Sequence, residues 1–228
     1  MRDTMADYLL RFPLTPKTVH LCVDMQRLFS ADGPWPTPWM TRVLPVIEAI
    51  AMRRPERTVF SRFIPPQTPA DLPGMWRHYY ARWQAATRAV LDPAMLELMP
   101  PLSGFAPPGT VIDKDRYSAF AGSALLRHLA EREADGLIIT GSETDVCVLA
   151  TVLDAVDLGY RVIFVRDALC SLRATTIVTT CSDASRPPVP MDRDHPFRWI
   201  ATSVKAPLGA PVDLSVMWRR QARWRPSP

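Results

Sequence analysis

The feature that most constrains the fold of this chain is an alternation of short apolar runs with longer amphipathic segments. Five runs have the length and composition of strands that are buried on both faces. The segments between them repeat apolar residues at helical spacing. The predicted strands are residues 18–23, 57–63, 110–113, 137–140 and 161–165, and the predicted helices are residues 39–53, 71–90, 122–132 and 145–158.

This alternation predicts an α/β fold. Strands joined through helices make right-handed crossovers, and the result is a mostly parallel sheet between two helical layers. We therefore expect a three-layer α/β/α, doubly wound, Rossmann-like architecture. With 228 residues, 47% of them hydrophobic, the chain has enough material for one such domain, which we place at residues 15–171.

Cysteine usage and hydropathy indicate the compartment. The four cysteines are widely spread and form no C-x-x-C pair, so neither a zinc site nor a disulfide framework is predicted. The first residues, MRDTMADYLLRFPLTP, do not resemble a signal peptide, and no apolar stretch reaches membrane-spanning length. These features favour a cytoplasmic protein without a membrane partner.

Three reactive side chains fall at or just beyond the carboxyl ends of predicted strands. Asp24 ends the first, Lys114 ends the third, and Cys147 follows the fourth through the loop GSETDVC. In open α/β sheets this edge holds the ligand crevice, so the three side chains are expected to converge. Each also has an ordinary structural interpretation: a helix-capping aspartate, a solvated lysine and an inert core thiol.

Together the three residues suit amide hydrolysis. A helix amino terminus and a neighbouring lysine would lower the pKa of the Cys147 thiol from about 8.5 and favour the nucleophilic thiolate. Asp24 could take the thiol proton and pass it to a departing amine. Backbone amides at the turn into the helix could stabilise the tetrahedral oxyanion.

Three segments carry a family resemblance. HLCVDMQRLF with Asp24, DKDRYSAF with Lys114 and TGSETDVCVLATVLDAVDLGYRVIFVRDALCS with Cys147 resemble, in order, the motif blocks of the isochorismatase-like cysteine hydrolases. The resemblance runs from His20 to Ser171. It implies an acyl-cysteine intermediate, Asp24 as general base and Lys114 as orienting and polarising group. It also implies a cis peptide bond between Ser142 and Glu143, and an oxyanion hole from the amides of Glu143 and Cys147.

The resemblance also bears on the metal, the cofactor and the class of substrate. Metal-dependent relatives carry an Asp-x-His motif and a further histidine after the second strand, where this chain reads IPPQTPADLPG. We therefore predict no cofactor and no metal. The four histidines, which lack ligand-like spacing, are His20, His78, His128 and His195. Because relatives that cleave a vinyl ether can do without the cysteine, retention of Cys147 favours a small amide or ureide as substrate.

Phe29 and Tyr117 lie five and three residues after Asp24 and Lys114, and Arg62 lies near the carboxyl end of the second predicted strand. Phe29, Arg62 and Tyr117 could face the crevice, and Arg62 would suit a carboxylate-bearing substrate. An aromatic stripe at helical spacing favours core packing or a subunit contact in a homo-oligomer over a pocket wall. The stripe consists of Trp76, Tyr79, Tyr80 and Trp83.

Residues 172–228 differ in composition from the rest. They contain nine Lys/Arg against four Asp/Glu, and eight of the 24 prolines, whereas residues 1–171 are nearly neutral. Relatives continue with a histidine-containing helix and a final strand. One G/C-rich back-translation of ATTIVTTCS, read in an adjacent frame, spells an Asp-Asp-His-Arg-Asp-Asp-Leu-Leu helix, so we hypothesise a frameshift in this atypical segment.

Two other functional classes remain open. The chain could be a catalytically silent family member that acts as a binding or scaffolding subunit. A nucleic-acid contact through the basic tail is a weaker alternative, and we expect no such partner. The residues that would make that contact are Trp218, Arg219, Arg220, Arg223, Trp224 and Arg225.

Overall fold

A computed structural model describes residues 13–171 and 201–204. Its centre is a parallel six-stranded sheet in the order β3-β2-β1-β4-β5-β6. The strands are β1 (Val19–Val23), β2 (Thr58–Phe63), β3 (Thr110–Lys114), β4 (Gly136–Ser142), β5 (Arg161–Cys170) and β6 (Ala201–Val204). The predicted doubly wound α/β fold is confirmed, and the first five strands lie where the apolar runs predicted them.

Helices cover both faces of the sheet. The helices are α1 (Met40–Arg53), α2 (Gly74–Arg82), α3 (Pro100–Ser103), α4 (Leu125–Glu131) and α5 (Leu149–Asp157). α1 packs on one face over Cys22, Phe60 and Ile163, whereas α4 and α5 pack on the other face over Leu21 and Val59. Two apolar cores therefore hold the three layers together. No helix in the described part of the chain combines the length and apolarity needed to cross a bilayer.

The predicted helix at residues 71–90 is much shorter in the structure. α2 begins only at Gly74, after a short turn in which Thr68 and Asp71 cap each other, and it ends at Arg82. Beyond it, the backbone amide of Arg88 donates to the carbonyl of Pro66 at 3.0 Å, and that of Ala89 to Gln67 at 3.1 Å. These tertiary hydrogen bonds replace the helical ones that the aromatic spacing had predicted.

One strand falls inside the atypical segment. β6 pairs in parallel with β5, with Val162 opposite Ala201 and Val165 opposite Val204. β6 lies within residues 197–204, the clearest apolar stretch of this segment, where the alternation of strands and helices had predicted no strand. The region of the frameshift hypothesis, residues 174–182, lies outside the described residues, as does the basic tail beyond residue 204.

The chain reverses its winding direction between β1 and β4, which are neighbours in the centre of the sheet. Strands β2 and β3 lie to one side of this pair, and β5 and β6 lie to the other. Crevices that bind ligands in doubly wound sheets form at such a reversal, beyond the carboxyl ends of the strands. This places the loop that carries Cys147 beside the end of β1.

Candidate active site

Asp24 and Lys114 form a completely buried ion pair. The Lys114 Nζ lies 2.7 Å from the Asp24 Oδ2, and neither side chain is exposed. The ammonium also donates to the carbonyl oxygens of Arg116 at 2.9 Å and Tyr117 at 3.0 Å. The carboxylate and the two carbonyl oxygens together hold the ammonium in place.

Asp24 is held by strand β2. Its Oδ1 accepts a hydrogen bond from the Ser61 hydroxyl at 2.7 Å, and its backbone amide donates to Ser61 Oγ at 3.2 Å. The backbone at Asp24 has φ of 49°, a left-handed conformation that aspartate adopts more readily than most residues. Sequence reasoning missed Ser61, because only the parallel pairing of β1 with β2 brings it next to Asp24.

Gln26 is a second residue that the sequence did not single out. It is fully buried, and its side-chain amide makes two hydrogen bonds with the backbone of Phe63, at 2.7 and 3.1 Å. Its Nε2 also donates to the carbonyl of Leu96 at 2.9 Å. The Phe63 ring in turn lies under the Lys114 ammonium, 5.2 Å from ring centre to Nζ. Gln26 therefore connects the end of β1 to Phe63, whose ring packs against Lys114.

Cys147 lies on a π-helical turn, Thr144–Val148, that leads from β4 into α5. Such turns are frequent at functional sites. The Cys147 carbonyl accepts a hydrogen bond from Thr151 Oγ1 at 2.7 Å, and the charges of Asp24 and Lys114 both act on the sulfur. The structure thus brings the three predicted catalytic residues together.

The protonation of Cys147 differs from the expectation. Burial raises the pKa of the thiol, the negative charge of Asp24 raises it further, and only the Lys114 ammonium acts to lower it. The prediction of a resting thiolate was wrong, because the side chain is almost completely removed from water and stands beside a carboxylate. For Lys114, burial acts to lower the pKa, but Asp24 and Cys147 outweigh it and raise it.

The loop before Cys147 has unusual backbone geometry. The peptide bond between Ser142 and Glu143 is cis, as the resemblance predicted. Just before it, Gly141 has φ of 113°, and a Cβ at this position would lie 2.1 Å from the carbonyl oxygen of Val23. Only glycine allows β4 to approach the end of β1 so closely. The carbonyl of Glu143 accepts hydrogen bonds from the amides of Val146 and Val148.

The three predicted substrate contacts lie in different surroundings. The Tyr117 carbonyl accepts a hydrogen bond from Lys114. Tyr117 is 45% exposed, and its ring lies at the edge of the site. Phe29 is buried and stacks on Trp35 at 6.1 Å. Arg62 forms ion pairs with Asp113 at 2.8 Å and Glu97 at 3.2 Å, so its guanidinium is already engaged by protein carboxylates.

The aromatic stripe divides between core and site. Tyr80 is buried in the core, whereas Tyr79 and Trp83 are exposed on the surface. Trp76 packs edge to face against Tyr117, with ring centres 5.4 Å apart. The stripe therefore provides both the predicted packing and a wall next to the candidate active site.

The described residues contain no group of three or more His, Cys, Asp or Glu side chains arranged to hold a metal ion. His20 is buried in β1, with its two ring nitrogens 3.3 Å from the Thr58 hydroxyl and 2.8 Å from the Thr140 hydroxyl. Burial lowers the pKa of His20 to about 3, so the ring is neutral at ordinary pH. His195 lies outside the described residues.

Comparison with known proteins identifies relatives of this chain. It is 43% identical over 60 residues to the "Uncharacterized isochorismatase family protein PncA" of Bacillus subtilis (strain 168), which is 26% of this chain and 33% of that protein. It is 42% identical over 59 residues to the N-carbamoylsarcosine amidase of an Arthrobacter species, 26% of this chain and 22% of that protein. The matched stretches thus span a third or less of these curated relatives.

A solved structure gives a longer match. The cysteine hydrolase from Pseudomonas syringae pv. phaseolicola 1448A superposes with a TM-score of 0.61 and 28% identity, over 73% of this chain and 79% of that one. The family profile described as "Isochorismatase domain" matches residues 18–184, which include all three predicted catalytic residues. On that match, the chain belongs to the isochorismatase family of hydrolases.

Proposed function

We propose that the chain hydrolyses the C–N bond of a small amide or ureide through an acyl-cysteine intermediate. The catalytic residues in this proposal are Asp24, Lys114 and Cys147. The observation that carries it is the fully buried ion pair between Asp24 and Lys114, which stands next to the Cys147 thiol at the central reversal of the sheet. A buried carboxylate beside a thiol is placed to move a proton.

In the first half of the reaction, the Cys147 sulfur attacks the carbonyl carbon of the substrate while Asp24 takes the thiol proton. The raised pKa of the Cys147 thiol means that this proton leaves during the attack and not before it. The substrate oxygen becomes an oxyanion, which the backbone amides of Glu143 and Cys147 stabilise. Lys114 keeps the Asp24 carboxylate oriented towards the sulfur.

The second half regenerates the thiol. Asp24 returns the proton to the leaving nitrogen, the C–N bond breaks, and ammonia or an amine departs from the acyl-cysteine. A water molecule then attacks the thioester carbonyl and gives a proton to Asp24. The C–S bond breaks, Cys147 recovers its proton, and the acid product leaves. Asp24 thus acts as base and then as acid in acylation, and again as base and then as acid in deacylation.

The names of relatives support the reaction class. One curated relative is an N-carbamoylsarcosine amidase, and the structural relative from Pseudomonas syringae is described as a cysteine hydrolase. The earlier reason to expect a substrate carboxylate is weaker, because Asp113 and Glu97 already engage Arg62.

We further propose that the protein works in the cytoplasm as a homo-oligomer. The described cysteines, Cys22, Cys147 and Cys170, are all free thiols, which suits a reducing compartment. The exposed apolar side chains of Met75 on α2 and Trp83 just after it would suit a subunit contact. Sedimentation of wild-type protein and of Met75→Glu should then show an oligomer and a smaller species, respectively.

Ammonia release from a panel of primary amides, ureides and carbamoyl compounds tests the reaction directly. Wild-type protein should release ammonia, and Cys147→Ala should release none. Cys22→Ala is the matched control, because it also removes a buried thiol. Cys22 is part of β1 and packs in the core that α1 covers. Equal release by wild type and Cys147→Ala would refute the mechanism. If neither the wild type nor any variant releases ammonia, the result would favour the scaffolding alternative.

A further inference from the structure

The mouth of the candidate site is lined with aromatic rings. Trp76 packs edge to face against Tyr79, with ring centres 5.8 Å apart, and against Tyr117 at 5.4 Å. Tyr79 and Tyr117 are 38% and 45% exposed, so both present ring surface to solvent. We call these three residues the aromatic rim. It adjoins the catalytic residues, because the Tyr117 carbonyl accepts a hydrogen bond from Lys114 at 3.0 Å.

Glu143 brings a carboxylate to the same place. It follows the cis peptide bond and precedes the turn that carries Cys147, and it is only partly exposed. Among residues 13–171, no hydrogen bond or ion pair engages its carboxylate oxygens. Its carbonyl accepts hydrogen bonds from Val146 and Val148 on either side of Cys147, and Tyr117 of the rim binds Lys114 through its carbonyl at 3.0 Å. Glu143 and the rim therefore flank the same catalytic residues, and, after the larger effect of burial, the charge of Glu143 contributes to the raised pKa of Tyr79 and Tyr117.

The cations near this mouth are already engaged. Arg62 is paired with Asp113 and Glu97, and Lys114 is paired with Asp24. The guanidinium of Arg116, whose charge acts on Tyr80, is paired with Asp115 at 3.1 Å. Asp145 adds a second carboxylate close to Glu143, and burial together with Asp145 raises the pKa of Glu143. In the described part of the chain, the rim thus combines aromatic faces with acidic side chains.

We propose that the aromatic rim and Glu143 bind a positively charged group of the substrate, in particular a methylated ammonium. This inference rests on the proposed function, since the cation would be part of the amide that Cys147 attacks. Aromatic faces attract cations, and they favour quaternary ammonium groups because these lose little hydration on binding. The Glu143 carboxylate, which is partly buried and has no cationic partner among residues 13–171, supplies the opposite charge.

The position of the rim sets the shape of the substrate. Glu143 is adjacent to the catalytic turn, and its own backbone amide is assigned to the oxyanion hole. A cation that contacts its side chain therefore lies only a few bonds from the carbonyl under attack. Small amides with an ammonium on the α or β carbon meet this requirement. Amides with a carboxylate in that position would face Glu143 and be repelled.

Hydrolysis of an isosteric pair tests the inference. Trimethylammonioacetamide carries the cation, 3,3-dimethylbutanamide replaces its nitrogen with carbon, and malonamate carries an anion instead. We expect kcat/KM to be about tenfold higher or more for the cationic amide than for its neutral isostere, and lowest for the anion. Equal values, or a preference for the neutral or anionic amide, would overturn the inference and leave cysteine hydrolysis intact.

Variants of the rim test whether it causes the preference for the cationic amide. Glu143→Gln and Tyr79→Leu should each reduce the ratio of cationic to neutral turnover towards one. Trp39→Leu is the matched control, because Trp39 has similar exposure, 37%, but stacks with Arg42 at the start of α1. Its ratio should remain that of the wild type. An unchanged ratio in both Glu143→Gln and Tyr79→Leu would show that the rim does not select the cation.

Binding to Cys147→Ala separates this inference from the catalytic proposal. Calorimetry should show that trimethylammonioacetamide binds this variant about tenfold more tightly than 3,3-dimethylbutanamide does. That result supports the rim even if no amide is hydrolysed by the wild type. Equal affinities, or no detectable binding of the cationic amide, would overturn the inference whatever the outcome of the ammonia assay.

Discussion

At the scale of single residues, the buried pair of Asp24 and Lys114 dominates the site. Neither charge reaches solvent, so each depends on the other and on the hydrogen bonds from Ser61 and to the carbonyls of Arg116 and Tyr117. Two charges removed from water are stable only when such partners are complete. The pair is thus both the proposed proton relay and a structural weakness.

Removing one partner should destabilise the protein strongly. We expect Lys114→Met to lower the free energy of unfolding by about 3 to 5 kcal/mol, because it leaves the Asp24 carboxylate buried without a cation. The double variant Asp24→Asn/Lys114→Met should be more stable than Lys114→Met alone. Urea unfolding measures both, and a single variant as stable as the wild type would show that the pair is not buried in solution.

The raised pKa of Cys147 predicts how the thiol reacts in the absence of substrate. A buried neutral thiol should be alkylated slowly by iodoacetamide at pH 7, and the rate should keep rising up to and beyond pH 9. Lys114→Met should slow alkylation further, since the ammonium is the group that favours the thiolate. The measurement is the loss of free Cys147 by peptide mass spectrometry, and a rate that levels off below pH 7 would contradict the assignment.

At the scale of elements, the site depends on how closely β4 approaches β1. That approach is possible because Gly141 has no side chain and a positive φ, and it sets the position of the turn that carries Cys147. Strand β2 contributes Ser61 and β3 contributes Lys114 from the other side of β1. The site is therefore assembled from the ends of four neighbouring strands.

Gly141→Ala should damage stability and activity together. Its Cβ would lie 2.1 Å from the Val23 carbonyl oxygen, in a backbone conformation that side chains rarely adopt. We expect a loss of about 3 kcal/mol or more in the free energy of unfolding, and loss of most amidase activity. Gly104→Ala is the control, because a Cβ there meets nothing within 4 Å. Wild-type stability of Gly141→Ala would contradict the close packing of β4 on β1.

Sequence reasoning predicted the strands better than the helices. Short buried strands leave a clear apolar run, so β1 to β5 and the residues at their ends could be predicted. The aromatic spacing at residues 76–83 predicted a helix up to residue 90, but bonds from Arg88 and Ala89 to a distant segment end it early. Ser61 and Gln26 were missed because their partners lie 35 or more residues away in sequence.

The pKa of Cys147 could not be predicted either. The position at a helix start predicted a lowered pKa, but the direction of the shift depends on burial and on Asp24, which only the folded arrangement brings together. Likewise, Arg62 lies near the carboxyl end of β2 as expected. Its partners Asp113 and Glu97 come from β3 and a separate loop, so the pairing depends on the folded arrangement and could not be predicted.

At the scale of the whole molecule, the open question is the segment after Ser171. The proposed domain of residues 15–171 ends before β6, although β6 extends the sheet beside β5. We retain the proposal that residues 172–228 form an atypical, basic, proline-rich segment that a frameshift could have produced. Resequencing the gene across codons 165 to 230 tests it, and an unchanged reading frame would refute it.

Truncation tests what β6 contributes. A chain that ends at Ser171 should be less soluble and less stable than one that ends at Val204, because it leaves the edge of β5 without its parallel partner. Thermal unfolding and the soluble fraction on expression provide the comparison. Equal behaviour of the two truncations would support residues 15–171 as the complete folding unit.

The acyl-enzyme itself gives the most direct test of the central claim. Wild-type protein should be mixed with a substrate amide found in the ammonia assay, quenched with acid during turnover and measured by intact-protein mass spectrometry. We predict a mass increase equal to the acyl group, located on the peptide that contains Cys147 and also present in Cys22→Ala. Turnover with no adduct on Cys147, or an adduct that persists in Cys147→Ala, would contradict the account.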